Sequence, residues 1–440
     1  MTIGFKHLDE ARHAAEAALI ASLSNAPRDC RMVMIEDLYG QIRLVLWPGS
    51  APEGLIDDLR AQMAQQAQGV WSDDIWTVGK DVPEADRFVY EDTWKESQPH
   101  PADARLRILN RYRSRGAWLH PTGAPLWKKP VSLKTKHPPI VVFYSFKGGV
   151  GRSTALAAFA IQRARRGERV AVIDADLDAP GIGTLLAADE QGTTSNWGVA
   201  DYLLEKPLGP VDLRDYYHAC RREPLTGKGE ILVVPSGRID GDYLGKLARL
   251  DFEPPSTKDK HPFFMLLEDV RTQLHPHWIL VDLRAGLAEN AGLILGGFAH
   301  LHVLFGTASE QSWQGLRLII ERLGADRIRA NHPDGQGDCV MVQAMVPENT
   351  EVYDRSTQRF GDRARDEFAE FYYAEAGADS FWTIEDLESS DAPHVPVPIR
   401  YNVALADFRN LDEVAGEIAE SKNYQELTAR IVNRFGGDGK

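Results

Sequence analysis

The sequence predicts an α/β fold in which a doubly wound, mostly parallel sheet follows a smaller N-terminal α+β domain. Three observations lead to this prediction. From residue 140 onward, nearly continuous apolar runs alternate with helical stretches, which is typical of strands buried on both faces of a parallel sheet. The first of these runs leads directly into a glycine-rich loop and a helix start. Residues 1–118 instead combine helical stretches with a hairpin pattern.

The N-terminal α+β domain, residues 1–118, has predicted elements but no catalytic motif. Two apolar runs, 32–35 and 42–47, flank Asp37-Leu38-Tyr39-Gly40, and this arrangement predicts a hairpin. The predicted helices of the domain are 7–23, 53–67 and an arginine-rich helix over 102–114. The sequence leaves the role of this domain open.

Residues 119–138 are rich in proline and lysine and poor in periodicity, which predicts a linker or an extended arm. Together with the arginines before it, this segment gives residues 105–136 a concentration of positive charge. Two interpretations stay open: an arm that is solvated or docked on the protein's own acidic surface, or a contact with nucleic-acid phosphates or another anionic partner. The basic residues are Arg105, Arg107, Arg111, Arg113, Arg115, Lys128, Lys129, Lys134 and Lys136.

Residues 139–440 are predicted to form the doubly wound domain. The apolar runs expected to become its strands are Ile140–Phe146, Val170–Ile173, Ile231–Val234, Trp278–Val281, Leu301–Phe305 and Val340–Val346. The helical stretches that separate many of them include 153–166, 262–274, 310–323 and 353–374. His300 and His302 alternate with apolar residues at the start of a strand, so we expect them at its solvent end.

Composition limits the possible functions. The chain has 440 residues, 43% hydrophobic and 26% charged, as is ordinary for soluble globular proteins. Its net charge of −14 argues against a whole surface that binds nucleic acid or anionic membranes. Three widely spaced cysteines indicate neither a disulfide framework nor a zinc site. No apolar run approaches the ~18 residues of a membrane span and the N-terminus does not look like a signal peptide, so we expect a cytoplasmic protein.

The most specific motif lies in residues 138–154, PPIVVFYSFKGGVGRST, where an apolar strand leads into a glycine-rich loop and a helix. Gly148, Gly149 and Gly151 allow the backbone to take positive φ and to turn its N–H groups around an anion. The helix that follows adds its free N-terminal donors and its dipole. Ser153 stands where a hydroxyl would complete the coordination of Mg²⁺.

Two acidic segments should meet this loop, because ligands of doubly wound sheets lie beyond the carboxyl ends of the strands. Asp174 and Asp176 come at the end of the second predicted strand of the domain. Asp282 ends the apolar run that begins at Trp278, which fits a Walker B strand whose carboxylate holds Mg²⁺ through water. Gly286 would be the hinge of a second switch that senses the γ-phosphate. Phosphoryl transfer needs such a metal site and an in-line water.

The loop from Lys147 to Ser153, K-G-G-V-G-R-S, resembles the deviant Walker A loop of the ParA/MinD/ArsA-like P-loop ATPases, which reads K-G-G-x-G-K-[ST]. Arg152 stands where the family has its second lysine, and the chain looks like a branch of the family that carries this variant. The resemblance extends through most of residues 139–410. No N-K-x-D guanine signature is present, which favours ATP over GTP.

The resemblance implies roles for individual residues. Asp176 matches the acid that positions the attacking water, Asp174 the acid near the magnesium shell, and Lys147 the lysine that crosses a dimer interface to the partner's nucleotide. Family members often carry an asparagine for adenine near the end of the strand that matches residues 340–346, where Gln343 is the nearest polar side chain here. The implied nucleotide-binding residues are Gly148, Gly149, Val150, Gly151, Arg152, Ser153, Thr154 and Gln343; the implied catalytic residues are Lys147, Arg152 and Asp176; the implied metal ligands are Ser153, Asp174 and Asp282.

The function that the resemblance implies is a homodimeric Mg²⁺·ATP-binding switch that hydrolyses ATP slowly and signals its nucleotide state to a protein partner. Slow hydrolysis is expected because Arg152 keeps the charge of the family's lysine but is planar and bulkier. Relatives with this variant loop are associated with bacterial conflict or antiphage gene sets. Two alternatives stay open: a nucleotide-binding scaffold without turnover, and a ParA-like DNA-partitioning ATPase. Membrane association is not expected, because the amphipathic stretch 427–437 more often packs on its own domain.

Overall fold

The structure is a computed structural model, and it divides the chain into two compact units, Met1–Ser114 and Arg115–Lys440. Of the basic residues predicted to form an arm, Arg113, Arg115, Lys134 and Lys136 lie outside the described residues. The described residues are 7–52, 54–79, 82–111, 116–119, 125–131, 137–252, 261–329, 337–374, 382–405, 408 and 410–437.

The first unit contains a mixed sheet. Its elements in chain order are α1 (Leu8–Asn25), β1 (Arg31–Glu36), β2 (Ile42–Trp47), α2 (Leu55–Gln66), β3 (Trp71–Thr77), α3 (Glu84–Glu96), β4 (Gln98–His100) and β5 (Asp103–Asn110). The strand order is β3-β2-β1-β5-β4, with β1–β2 and β4–β5 antiparallel and the other pairs parallel. Apolar side chains of α1 and α2 cover one face of this sheet. Trp94 of α3 packs on the other face, beside Trp47.

The arginine-rich helix predicted over residues 102–114 is wrong, because residues 103–110 form strand β5. Pairing with β1 dictates this outcome: Leu106 lies opposite Met32 in a parallel register. The arginines of this strand are engaged inside the unit. Arg105 donates to the carbonyl of Leu23 at the end of α1 (2.8 Å), and Arg107 lies over the ring of Trp94 (5.0 Å).

The second unit contains a larger sheet with helices on both faces. Its strands are β6 (Ile140–Ser145), β7 (Arg169–Ala175), β8 (His218–Cys220), β9 (Glu230–Val234), β10 (Trp278–Leu283), β11 (Leu301–Gly306), β12 (Cys339–Val346) and β13 (Val397–Arg400). Its helices are α4 (Gly116–Leu119), α5 (Arg152–Arg165), α6 (Ile182–Leu185), α7 (Val199–Glu205), α8 (Glu223–Thr226), α9 (Tyr243–Leu247), α10 (Pro262–Asp269), α11 (Glu289–Leu295), α12 (Glu310–Arg329), α13 (Thr350–Phe368), α14 (Ala415–Glu420) and α15 (Lys422–Asn433). Single π-helical turns, Val270–Leu274 and Ala369–Tyr373, extend α10 and α13.

The strand order of this sheet is β13-β12-β11-β6-β10-β7-β9-β8, and all its pairs are parallel except β8–β9. This confirms the predicted doubly wound, mostly parallel sheet. Strand β6 is central, and the chain continues from it to one side through β7 and later to the other side through β11. Connections therefore diverge at the carboxyl end of β6, which is where such sheets form a crevice.

Two apolar layers enclose the sheet. Helices α7 and α10 to α13 pack on one face. Helices α5, α14 and α15 pack on the other face, where Leu427 and Ile431 of α15 are buried. Within the described ranges, no helix has the length and apolar character needed to cross a bilayer.

Residues 125–131, part of the predicted basic arm, dock at the amino ends of the central strands. The main-chain carbonyl of Trp127 accepts a hydrogen bond from Nε2 of His300 (2.9 Å). Lys129 pairs with the buried carboxylate of Asp338 (2.8 Å). The prediction that His300 and His302 lie at a solvent end is wrong: they are 2% and 1% exposed. Burial lowers the pKa of each to about 4.

Candidate functional site

The glycine-rich loop connects β6 to α5 at the carboxyl edge of the second sheet. Gly149 and Gly151 take positive φ (72° and 81°), and a Cβ atom built on Gly148, Gly149 or Gly151 would have no neighbour within 4 Å. The loop therefore encloses open space rather than packed side chains. In this described segment, Ala155 is the first residue after the loop glycines whose amide donates to a main-chain carbonyl, that of Gly151 (2.9 Å). The preceding amides are left as donors for a ligand.

Parallel pairing brings the predicted acids beneath this loop. Asp282 of β10 lies directly opposite Asp174 of β7 in the strand register, and Asp176 follows β7. Ser153 donates its hydroxyl hydrogen to one oxygen of Asp282 (Oγ to Oδ2, 2.6 Å). The hydroxyl and the carboxylate are thus within reach of a single small cation.

Arg152 is turned toward the acids. Its Nε donates to Oδ1 of Asp282 (2.7 Å), and its Nη2 donates to Oδ2 of Asp176 (2.9 Å). The residue is 8% exposed, in the first turn of α5. Asp176 also accepts the amide of Ala179 through its other oxygen (3.1 Å), so both of its oxygens are engaged.

Asp174 and Asp282 have raised pKa values because they are buried together. Burial, and then repulsion from Asp282, raises the pKa of Asp174 to about 8, although the amides of Gly183 and Asp176 donate to it. Burial also raises the pKa of Asp282, against the attraction of Arg152. Burial disfavours the Arg152 cation, but the two carboxylates outweigh this effect and raise its pKa. Such clusters are typical of functional sites.

Neighbouring residues that were not predicted connect the segment after β7 with the segment after β10. Arg284 pairs with Asp178 (2.6 Å), so a cation after Asp282 meets an acid after Asp176. The hydroxyl of Tyr144 donates to the carbonyl of Gly286 (3.0 Å), which has φ of 78°. Arg284 lies between Asp282 and Gly286, and an arginine there was a signal available in the sequence.

The remaining predicted residues are placed as follows. Lys147 is half-buried and forms no ion pair with any residue that the structure describes. Val150 is buried under the loop, and Thr154 is half-buried on α5. Gln343 lies on β12, which is separated from β6 by β11, and its Nε2 donates to Oγ of Ser356 (2.9 Å). The structure therefore brings Ser153, Asp174, Asp176, Asp282 and Arg152 together but leaves Gln343 outside this group.

The residues fit a Mg²⁺–polyphosphate ligand. Hydroxyl and carboxylate oxygens are the donors that Mg²⁺ prefers, and the open glycine loop suits phosphate oxygens. Across the described ranges, no three or more His, Cys, Asp or Glu side chains are arranged to hold a metal by themselves. Mg²⁺ in proteins usually keeps several water and phosphate ligands and takes only one or two ligands from the protein. Ser153 and Asp282 would hold the ion.

Comparison with known proteins gives similarities over part of the chain. Residues 136–205 match the ParA family, described as NUBPL iron-transfer P-loop NTPase. An iron-sulfur cluster carrier protein of Salmonella typhimurium is 43% identical over 56 residues, which are 13% of this chain and 15% of the relative. The carrier protein of Escherichia coli K12 is 30% identical over 138 residues, 28% of this chain and 33% of the relative. The chain thus aligns with a third or less of these relatives' length.

Among solved structures, pNOB8 ParA bound to nonspecific DNA is similar over 68% of this chain and 98% of that chain, with 17% identity and a TM-score of 0.45. The family match covers the glycine loop, α5, β7 and the acids that follow it. In the structure these same elements surround the open loop and meet Asp282 at the carboxyl edge of a doubly wound sheet. Over residues 136–205 the second unit is therefore similar to the ParA family of P-loop NTPases, and these residues lie in a doubly wound, mostly parallel α/β sheet.

Proposed function

We propose that the protein is a Mg²⁺·ATP-dependent, dimerising ATPase of low turnover that passes its nucleotide state to a partner protein. The observation that carries this proposal is the hydrogen bond from Ser153 to Asp282 (2.6 Å) directly below an open glycine loop. This pair unites a phosphate cradle with the two side chains that would hold magnesium.

The chain's own groups divide the work. Loop amides and the N-terminus of α5 bind the phosphates and orient them toward the strand ends. Ser153 and Asp282 would hold the ion, which when bound neutralises phosphate charge. Asp176 lies on the same edge and is the carboxylate proposed to orient the attacking water. Asp174, whose pKa is raised to about 8 by burial, would be largely protonated at neutral pH and acts as a hydrogen-bonding support.

Dimerisation enters the proposal through Lys147. Its half-buried ammonium has no acidic partner among the described residues, so its charge is available to a nucleotide bound by a second copy of the chain. A cation delivered in this way would stabilise charge as the phosphate bond breaks. The proposed dimer is therefore expected to form only with ATP.

A second candidate is a scaffold that binds ATP without turnover. Arg152 favours it, because one guanidinium engages both Asp176 and Asp282 and so competes with the functions proposed for them. The two candidates make the same prediction for nucleotide binding. They differ in phosphate release.

The test measures binding of fluorescently labelled ATP and release of phosphate in four proteins. Ser153→Ala should weaken Mg²⁺-dependent binding at least about tenfold, since a hydroxyl ligand is lost. Lys147→Ala should abolish ATP-dependent dimerisation in light scattering but keep binding. Lys228→Ala, which changes an exposed lysine near the start of β9, is the charge-matched control and should behave as wild type.

The outcomes separate the candidates. Binding with measurable release supports the ATPase, and tight binding without release selects the scaffold. No binding by the wild-type protein overturns both. Passing the same protein over duplex DNA at low salt tests the DNA-partitioning alternative, which retention lost with added salt would favour and which no retention excludes.

A further inference from the structure

Arg152 is the point at which three structural elements meet. It begins α5, and its side chain reaches one acid on β10 and one just after β7. Asp282 and Asp176 are 1% and 6% exposed, so both contacts are made out of water. Hydrogen bonds between charged groups are stronger than neutral ones, and they are strongest in such dry surroundings.

The shape of the guanidinium explains why arginine suits this position. Its planar fork presents Nε and Nη2 along one edge, and here each of these nitrogens serves a different carboxylate. A lysine ammonium is a compact point charge and has no second, rigidly spaced nitrogen to span two acids. The change from the family's lysine to Arg152 is therefore a change in what the side chain can hold together.

The carboxylates of Asp176 and Asp282 occupy most of the hydrogen-bond donors of the Arg152 guanidinium, so few remain for a ligand. Nε and Nη2 are both engaged by carboxylates, and Nη2 also lies 3.4 Å from Oγ of Ser153. Nη1 is the guanidinium nitrogen left for another acceptor. Arg152 pairs with both Asp176 and Asp282, so its loss would leave these two buried carboxylates without that cation.

We propose that Arg152 is a positioning residue that clamps Asp176 and Asp282 in place, and that it is not the principal phosphate ligand of the loop. The proposal rests on the proposed nucleotide function for the identity of the ligand, but the contacts of Arg152 with the two acids form without any ligand. Charge for the phosphates then comes from the loop amides and the α5 N-terminus and, in the proposed dimer, from Lys147 of the second copy. The resemblance had assigned Arg152 to phosphate binding and catalysis, so the structure points to a different role.

The experiment compares Arg152→Lys, Arg152→Gln and the double variant R152Q/D176N with wild type in the full chain. Melting temperature is measured without nucleotide at one fixed pH, and binding of labelled ATP is measured separately. Arg221→Gln, which changes an exposed arginine just after β8 in the same unit, is the matched control. Arg152→Lys is included because it keeps the charge and folds even if Arg152→Gln does not.

If Arg152 clamps the two acids, the Arg152 variants should lose stability to different degrees when no nucleotide is bound. Arg152→Gln should lower the melting temperature by roughly 5–10 °C, because it leaves buried charges uncompensated, and Arg152→Lys should lower it by about half as much. R152Q/D176N should recover at least about half of the lost temperature, since it removes one unpaired charge.

Other results overturn the clamp. A phosphate ligand predicts an unchanged melting temperature without nucleotide, with ATP binding weakened more than about tenfold in Arg152→Gln and restored in Arg152→Lys. Failure of the double variant to recover stability also overturns the clamp. Because stability is measured on the protein alone, wild-type protein that binds no ATP would refute the proposed function and still leave the clamp testable.

Discussion

Gly315 provides the sharpest test of how the second unit supports its loop. This glycine lies inside α12, and a Cβ atom built on it would overlap three ring carbons of Phe146: Cγ, Cδ1 and Cδ2. Phe146 immediately precedes Lys147 at the entrance to the loop. The missing side chain of Gly315 thus allows the ring to fill the space between α12 and β6. Gly315→Ala should displace Phe146 and, with it, the start of the loop.

Gly361 supplies a matched control in the same unit. It lies inside α13, and a Cβ atom built on it would have no neighbour within 4 Å. Replacing glycine by alanine inside a helix stabilises it by about 1 kcal/mol, and this gain is common to both variants. The overlap at Gly315 adds a cost of roughly 1–3 kcal/mol, because nonbonded carbons do not pack closer than about 3.5 Å. The difference between the variants isolates that cost.

The assay is equilibrium unfolding in urea, followed by circular dichroism and fitted with one transition per unit. Gly361→Ala should raise the free energy of unfolding by about 1 kcal/mol. Gly315→Ala should fall below Gly361→Ala by roughly 1–3 kcal/mol and should bind labelled ATP more weakly. Equal unfolding free energies in the two variants would refute the packing described for Phe146.

Three further predictions concern buried charge. The raised pKa of Asp174 (about 8 against 3.8) means that its contribution to stability is present below pH 3.8 and lost as pH rises to about 8; Asp174→Asn should flatten that part of a plot of melting temperature against pH. The lowered pKa of His300 (about 4 against 6.5) has the opposite sign, so stability should fall as pH drops from 6.5 to 4, and less steeply in His300→Asn. Asp338→Asn should cost about 3–5 kcal/mol in urea unfolding because Lys129, whose side chain is 11% exposed, loses the buried carboxylate that it pairs with, whereas Asp391→Asn, whose side chain is 58% exposed, should change it by less than about 0.5 kcal/mol.

The strands of the second sheet could be predicted because strands buried on both faces have nearly continuous apolar sequences. Each predicted apolar run from residue 140 onward overlaps a strand that has neighbours on both faces. Parallel pairing then requires the acids at the strand ends to meet, so the grouping of Asp174 with Asp282 follows from sequence order and register.

The failures of prediction involve partners that are distant in the chain. Strand β5 is rich in arginine, and only its pairing with β1 and the contacts of Arg105 and Arg107 explain an extended conformation. His300 is buried because residues 125–131, far away in sequence, cover the amino ends of the strands. A local sequence pattern carries no information about contacts between residues that are distant in the chain.

Arg152 shows the same limit within the site. Its position in the loop motif is visible in the sequence, but the direction of its side chain depends on where two strands place their carboxylates. Arg284 was likewise visible between Asp282 and Gly286, yet its ion pair with Asp178 appears only when both segments are folded. Motif spacing predicts which residues come together in the site, but only the folded structure shows which of them form hydrogen bonds or ion pairs.

The three cysteines give the molecule built-in reporters of opening. Cys30 lies in the core of the first unit, while Cys220 and Cys339 are buried in the second sheet, and all three are free thiols. A thiol reagent can reach a buried sulfur only when the surrounding structure opens, so the rate of labelling at each cysteine reports the opening of its own unit. Mass spectrometry of the labelled peptides would thus read the local stability of both units from a single unmodified chain.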